Sequence, residues 1–202
     1  LAWCHGLLCS CLLLATGCSA PLNSAQYRAY LADPDHGLTQ TQHVDRVSIT
    51  CMYRPTELLV AQEVGSIPHP VSSAQLDSLR RSYAGKTYCV LALAKDSAAI
   101  ENQFATDATA FTQALTYLNT GIAADVFLVT SPHDSVPALA SMYPRQYGTT
   151  GRSTVLLIFD THQLHPEQGF HLTFRGTAFG LGTLRFPFTA ASLAAIPALT
   201  FS

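Results

Sequence analysis

Thr87-Tyr88-Cys89-Val90-Leu91-Ala92-Leu93-Ala94 is apolar at both alternating sets of positions, so it reads as a central strand covered on its two faces. Asp125-Val126-Phe127-Leu128-Val129 and Ser153-Thr154-Val155-Leu156-Leu157-Ile158-Phe159 have the same buried character. Between the first two of these stretches, Ile100, Phe104, Ala108, Phe111, Leu115 and Leu118 recur at steps of three or four. That spacing predicts one long helix with a single apolar face, capped at Asp96 or Ser97 and closed at Asn119-Thr120-Gly121. Upstream, Val47, Ile49, Cys51 and Tyr53 alternate with Arg46, Ser48, Thr50 and Met52, the pattern of a half-buried strand.

Short helices fit the rest of the first half. Residues 24–32 suit one, stopped by Asp33-Pro34-Asp35-His36-Gly37, and Pro55 starts another through Gln62-Glu63. Ser72 with Gln75 three residues on has capping-box spacing and opens a helix to about Tyr83. Residues 132–150 read as an irregular loop. Downstream, Phe170, Leu172 and Phe174 alternate with His171, Thr173 and Arg175, and 183–188 extends again. Residues 189–195 suit a short helix before a last strand near Leu199. This order is neither regular βα alternation nor all-β. It predicts one α+β domain over 27–202, with a mainly antiparallel or mixed sheet and helices on one face. The competing class is a doubly wound α/β fold, because 86–160 contains a strand–helix–strand sequence suited to a crossover.

The chain has 202 residues, 48% hydrophobic and 12% charged, with 11 Lys and Arg against 13 Asp and Glu for a net charge of −2. Charged residues normally make up about a quarter of a soluble chain, so this surface is covered largely by Thr, Ser, Gln and Ala. Low charge with high hydrophobicity argues against disorder. The absence of a cationic excess argues against a nucleic-acid partner.

Residues 1–17 contain no Asp, Glu, Lys or Arg, and the first such charge is Arg28. Leu12-Leu13-Leu14-Ala15-Thr16-Gly17-Cys18 ends an apolar run in small residues directly before a cysteine, and Ser19-Ala20-Pro21-Leu22-Asn23-Ser24 follows as a polar tether. This pattern resembles the lipobox of bacterial lipoproteins. The resemblance implies a signal peptide over 1–17, cleavage after Gly17, a diacylglycerol on the Cys18 sulfur and an acylated Cys18 amine. Two lipid anchors hold a chain stably at a membrane. Ser19 is not the Asp of inner-membrane retention, and 19–27 lacks an acidic cluster. By the same resemblance, the address is the inner leaflet of the outer membrane, facing the periplasm. Tyr27-Arg28-Ala29-Tyr30-Leu31-Ala32-Asp33-Pro34-Asp35-His36-Gly37-Leu38 also resembles the start of uncharacterised bacterial lipoproteins after their tether.

Removing that leader reduces six cysteines to Cys18, Cys51 and Cys89. With Cys18 lipidated, Cys51 and Cys89 are left in a compartment that permits disulfides. Both fall in predicted strands and either pair across them or serve as two small buried hydrophobes.

Chemistry is sparsely signalled. Gly85-Lys86-Thr87 lacks the first glycine of a phosphate loop, since Arg80 stands there, and a strand follows it instead of a helix. Gly176, Gly180 and Gly182 lack dinucleotide-fingerprint spacing and read as a bend. His162, His165 and His171, near Asp160 and Glu167, are weak metal-ligand candidates interrupted by Pro166 and Gly169. Ser131, His133, Asp134 and Ser135 hold triad residue types, but no Gly-x-Ser-x-Gly elbow exists in the chain. No residue is nominated as catalytic and no cofactor is expected. For a partner, Tyr143, Arg145, Tyr147 and Arg152 combine hot-spot residue types in a loop. Tyr53-Arg54-Pro55-Thr56-Glu57, at a strand-to-helix junction, is a second such segment. Two function classes follow: a non-catalytic envelope lipoprotein that binds, scaffolds or assembles with an envelope protein, or a small lipid-tethered hydrolase or metal-dependent enzyme.

Overall fold

A computed structural model of the chain describes residues 20–130, 134–144 and 150–201. Helix α1 (Ser24–Ala32) is opened by a capping box in which the Asn23 side chain accepts from the backbone of Ala25 and Gln26. Strands β1 (Thr39–Val44) and β2 (Val47–Arg54) form a hairpin and lead into α2 (Thr56–Val64) and α3 (Ser73–Tyr83). The predicted Ser72–Gln75 capping box is present at the start of α3. Strand β3 (Lys86–Lys95) turns back as the two-residue β4 (Ala98–Ala99), followed by α4 (Ala108–Thr116) and β5 (Val126–Thr130). Then come β6 (Ser135–Pro137), β7 (Ala140–Met142), β8 (Ser153–Asp160), β9 (Gly169–Arg175), β10 (Thr183–Thr189) and α5 (Ala190–Ala194).

The fold is α+β, as the element order predicts, and among the described residues the strands divide between two antiparallel sheets. One runs β1-β2-β3-β8-β7 with β4 alongside β3, and the other β10-β9-β5-β6. The doubly wound alternative is set aside: β3 and β5, the strands of its supposed crossover, lie in different sheets. Period-two alternation turns one face of each sheet inward. Val47, Ile49 and Cys51 of β2, Leu91 and Leu93 of β3, and Val155, Leu157 and Phe159 of β8 share a core with the second sheet. That sheet contributes Val126 and Leu128 of β5, Phe170, Leu172 and Phe174 of β9, and Phe186 and Phe188 of β10. Each such side chain, fully buried, contributes about 1.5–3 kcal/mol. A smaller cluster of Tyr27, Leu31, Leu38 and Leu58 joins α1 and α2 to the first sheet, and partly buried Tyr53 and Leu193 pack against both clusters.

The two edges of the sandwich are held differently. At one, adjacent residues serve different sheets: Ala138 N–H donates to Val126 O at 2.9 Å, and Leu139 N–H donates to Ile158 O at 2.7 Å. At the other, the side-chain amides of Gln40 and Gln42 on β1 donate to the backbone carbonyls of Pro187 and Arg185 on β10. Pro187, with no N–H to offer, sits on an edge strand, where proline is tolerated. Leu22, in the stretch expected to be a tether, is bridged to Leu199 through Leu22 N–H to Ala198 O and Thr200 N–H to Leu22 O, both 2.8 Å. Among the described residues, no helix is long and apolar enough to cross a membrane.

One long helix was expected after Asp96, and the structure breaks it. Asp96 and Ser97 both take positive φ (51° and 62°) and reverse the chain into β4. A 3-10 turn (Ile100–Phe104) precedes α4, whose N-cap is Asp107, and a π turn (Tyr117–Gly121) follows it. Ile100 and Leu118 are nonetheless fully buried, so the apolar spacing found the core but not the helix ends. The expected final strand is a single bridge at Leu199.

Cys51 and Cys89 are both free, buried thiols. In the β2–β3 register Cys51 faces Leu91 and Tyr53 faces Cys89, which makes the cysteines diagonal neighbours. Diagonal positions on antiparallel strands lie about 7–8 Å apart, beyond the usual disulfide span. Burial first, then a hydrogen bond with Cys89, raises the Cys51 pKa well above its ordinary value, so the thiol stays protonated and unreactive. Read peptide by peptide in a mass spectrometer, iodoacetamide should modify neither cysteine in the folded protein and both in denaturant without reductant. A Cys51–Cys89 linked peptide surviving denaturation would show the disulfide instead.

Candidate functional site

The segment 160–167, which connects β8 to β9, separates two grooves. The first, of about 620 Å³, is lined by Asp134, Ser135, Val136 and Leu139 on one side and Asp160, His162 and Leu164 on the other. It lies beside the sheet corner at Ala138 and Leu139. The second, of about 560 Å³, is lined by Tyr53, Lys86, Thr161, Leu164, Glu167 and Leu193 among others. Leu164 is common to both. Both volumes are in the range of small-molecule sites, about 300–1,000 Å³.

Local structure explains why these side chains converge. Lys86 and Asp160 are opposite each other at the ends of β3 and β8. The carboxylate of Asp160 accepts from His162 N–H at 3.2 Å, holding the turn that leaves β8. Thr161 N–H donates to Gly85 O at 2.8 Å, and the buried hydroxyls of Thr87 and Thr161 are hydrogen-bonded at 3.2 Å. Gly85 adopts φ +70°, and a Cβ there would overlap the imidazole of His162. The glycine is therefore required twice, for its backbone and for the ring packed over it. Burial, then the nearby Cys89, pushes the Tyr53 hydroxyl up to a pKa of about 12, so it stays protonated.

The metal-ligand candidates do not converge. His162 is exposed over Gly85, and the His165 Nδ1 is 3.0 Å from a Glu167 carboxylate oxygen on the surface. His171 lies within β9 opposite Val129 and Pro187. Burial and, second, Arg185 lower its pKa. Among the described residues, no group of three or more His, Cys, Asp or Glu is placed to hold a metal ion. Asp134 and Ser135 share the first groove with His162, and no hydrogen bond among the described residues joins the His162 ring to either.

The loop proposed for partner contact is partly interior. Tyr143 is 8% exposed, and its hydroxyl donates to Glu101 Oε1 at 2.6 Å. The Ser153 hydroxyl donates to Glu101 Oε2 and accepts from Ile100 N–H at 2.9 Å. Glu101, 4% exposed, thus ties the 3-10 turn after β4 to both ends of the 143–153 segment. Arg152 is exposed. Arg145, Tyr147 and Cys18, the expected lipidation site, lie outside the described residues. Sequence reasoning missed Glu101, because a continuous helix would have turned it to solvent beside Ile100. It also missed Leu139, which is 61% exposed in a groove wall, and Met142, 58% exposed nearby on β7.

No protein-family model matches the chain, and no curated protein matches it. Among solved structures, it is similar to a crystal structure of a novel protein of unknown function from Burkholderia pseudomallei K96243, at 10% identity and a TM-score of 0.38. That likeness covers 88% of this chain and 94% of the other.

Gly85→Ala should cost at least about 1–2 kcal/mol from the left-handed backbone alone, measured by chemical denaturation. The NMR signals of His162 should shift as its ring is displaced. Unchanged stability and unchanged imidazole signals would contradict this packing.

Proposed function

We propose that this chain is a lipid-anchored, periplasm-facing envelope protein whose sandwich domain works by binding, as a scaffolding or assembly component. The lipobox ending at Cys18 supports the anchor. The observation that carries the binding half is that Leu139, exposed in the wall of the first groove, and Met142, three residues on, are the exposed large hydrophobics of the described residues. Isolated exposed apolar side chains are ordinary, whereas apolar side chains at a groove mark contact sites. Leu139 is part of the sheet corner between the edge strands β6 and β7 and Met142 ends β7, where an extended segment of a partner can pair. The sparse surface charge leaves contact with other envelope proteins dependent on apolar and hydrogen-bonded surfaces.

A second reading keeps one specific support: Asp134, Ser135, Asp160 and His162 share that groove. A lipid-tethered hydrolase using them would lose its activity in His162→Ala, whereas a binding module would keep its partner.

A photo-crosslinking residue at position 142 in intact cells should capture one envelope protein reproducibly. Leu139→Asp should reduce that capture about tenfold or more, as expected for losing one apolar anchor. Cys18→Ser should move the chain out of the membrane fraction or leave it uncleaved. Capture unaffected by Leu139→Asp contradicts the binding surface, and unchanged processing and membrane association in Cys18→Ser contradicts the anchor.

A further inference from the structure

Arg54 closes β2 on the outward-facing side, in line with Met52, and Pro55 caps α2 directly after it. Its Nη2 donates to Gln62 Oε1 at 2.8 Å. Its Nε is sealed from solvent and donates to nothing. Arg28 on α1 lines the same cleft of about 260 Å³, whose walls are Leu31, Met52 and Leu58. Burial first, and then the like charge of Arg28, lowers the Arg54 pKa from its ordinary value.

No acid of the surrounding elements answers these two cations. Helix α1 and strand β2 contain no Asp or Glu. On α2, Glu57 is held by two Arg80 nitrogens at 2.8 and 3.0 Å, and Glu63 accepts from the Tyr83 hydroxyl. The nearby Asp33 accepts from Asp35 N–H at 3.0 Å, capping a 3-10 turn. A half-buried guanidinium that shares a cleft with a like charge and has no acid beside it is costly unless an anion joins the two.

We propose that the cleft between α1, β2 and α2 binds a small carboxylate bearing a short aliphatic tail. The planar guanidinium fork of Arg54 matches a carboxylate, which supplies the countercharge that neither cation finds among the described residues and screens Arg54 from Arg28. The tail lies on Leu31, Met52 and Leu58. A fully polar anion such as phosphate would turn unpaired oxygens toward those walls. At about 30 Å³ for each water-sized group, the cleft holds about nine non-hydrogen atoms, a size that admits hexanoate. The site is separate from the two grooves and does not depend on the partner-binding reading. It also gives a role to the Tyr53–Glu57 segment that the sequence singled out.

Isothermal titration calorimetry of the full chain with hexanoate, hexan-1-ol and inorganic phosphate tests the proposal. Hexanoate should bind one saturable site, with hexan-1-ol and phosphate at least about tenfold weaker. Arg54→Gln and Arg54→Lys should each weaken hexanoate at least about tenfold, the cost of a lost charge-assisted pair. Arg28→Gln, on an exposed helix position, leaves the fold intact and should also weaken it. The proposal is overturned by the absence of saturable hexanoate binding, by phosphate or hexan-1-ol binding as tightly, or by unchanged hexanoate affinity in both Arg28→Gln and a folded Arg54 variant.

Discussion

Each of the two sheets is continuously apolar on its inward face, and neither can shield that face alone. Their mutual burial is the constraint from which the rest of the architecture follows. The rows Ile49–Cys51, Leu91–Leu93 and Leu157–Phe159 meet Phe170–Phe174 and Phe186–Phe188 in one interior, and the chain must pass between the sheets to form both. It does so through the irregular turns after β4, again at Ala138–Leu139, where one peptide step changes the sheet being bonded, and a third time between β8 and β9. A corner of that kind cannot be covered from both sides. The first groove, with Leu139 exposed in its wall and Met142 exposed nearby, is the consequence. The binding surface proposed here is thus a by-product of how the sandwich closes.

Polar groups in the interior serve the same end. Glu101 accepts from Tyr143 and Ser153, so the turn that leaves the first sheet is tied to both ends of the segment that joins β7 to β8 within it. A buried carboxylate is tolerated where donors surround it, and removing one partner leaves an expensive unpaired group. Arg54 is the counterexample. Its Nε remains unanswered by protein groups, and this imbalance distinguishes it from Arg80, which is saturated by Glu57 and Asp77.

Much of this was legible before any coordinates. Strict alternation placed β2 and β9, and a buried apolar run placed β8, each within a residue or two, and the Ser72–Gln75 spacing marked the start of α3. Strand β1 was not legible, because Thr39-Gln40-Thr41-Gln42-His43-Val44 has no apolar alternation; its glutamines work through backbone bonding to β10. The long helix failed because a 3.6-residue apolar period does not register a reversal such as Asp96–Ser97. Tyr143 carried the residue type of a binding hot spot, yet its neighbourhood to Glu101 depends on a pairing across 42 positions of sequence. Pairings of that span leave no local signal. The grooves were invisible for the same reason, the first being assembled from β6, the end of β8 and the turn after it, the second from β2, the start of β3, the same turn and α5.

Native-state amide hydrogen exchange tests the central claim, that the two sheets share one core. Amides of β3, β8, β5 and β9 should open with one common free energy, the highest in the molecule, while β6, β7 and α3 open at lower cost. Exchange of β5 and β9 well before β3 and β8, as a separate unit, would contradict it.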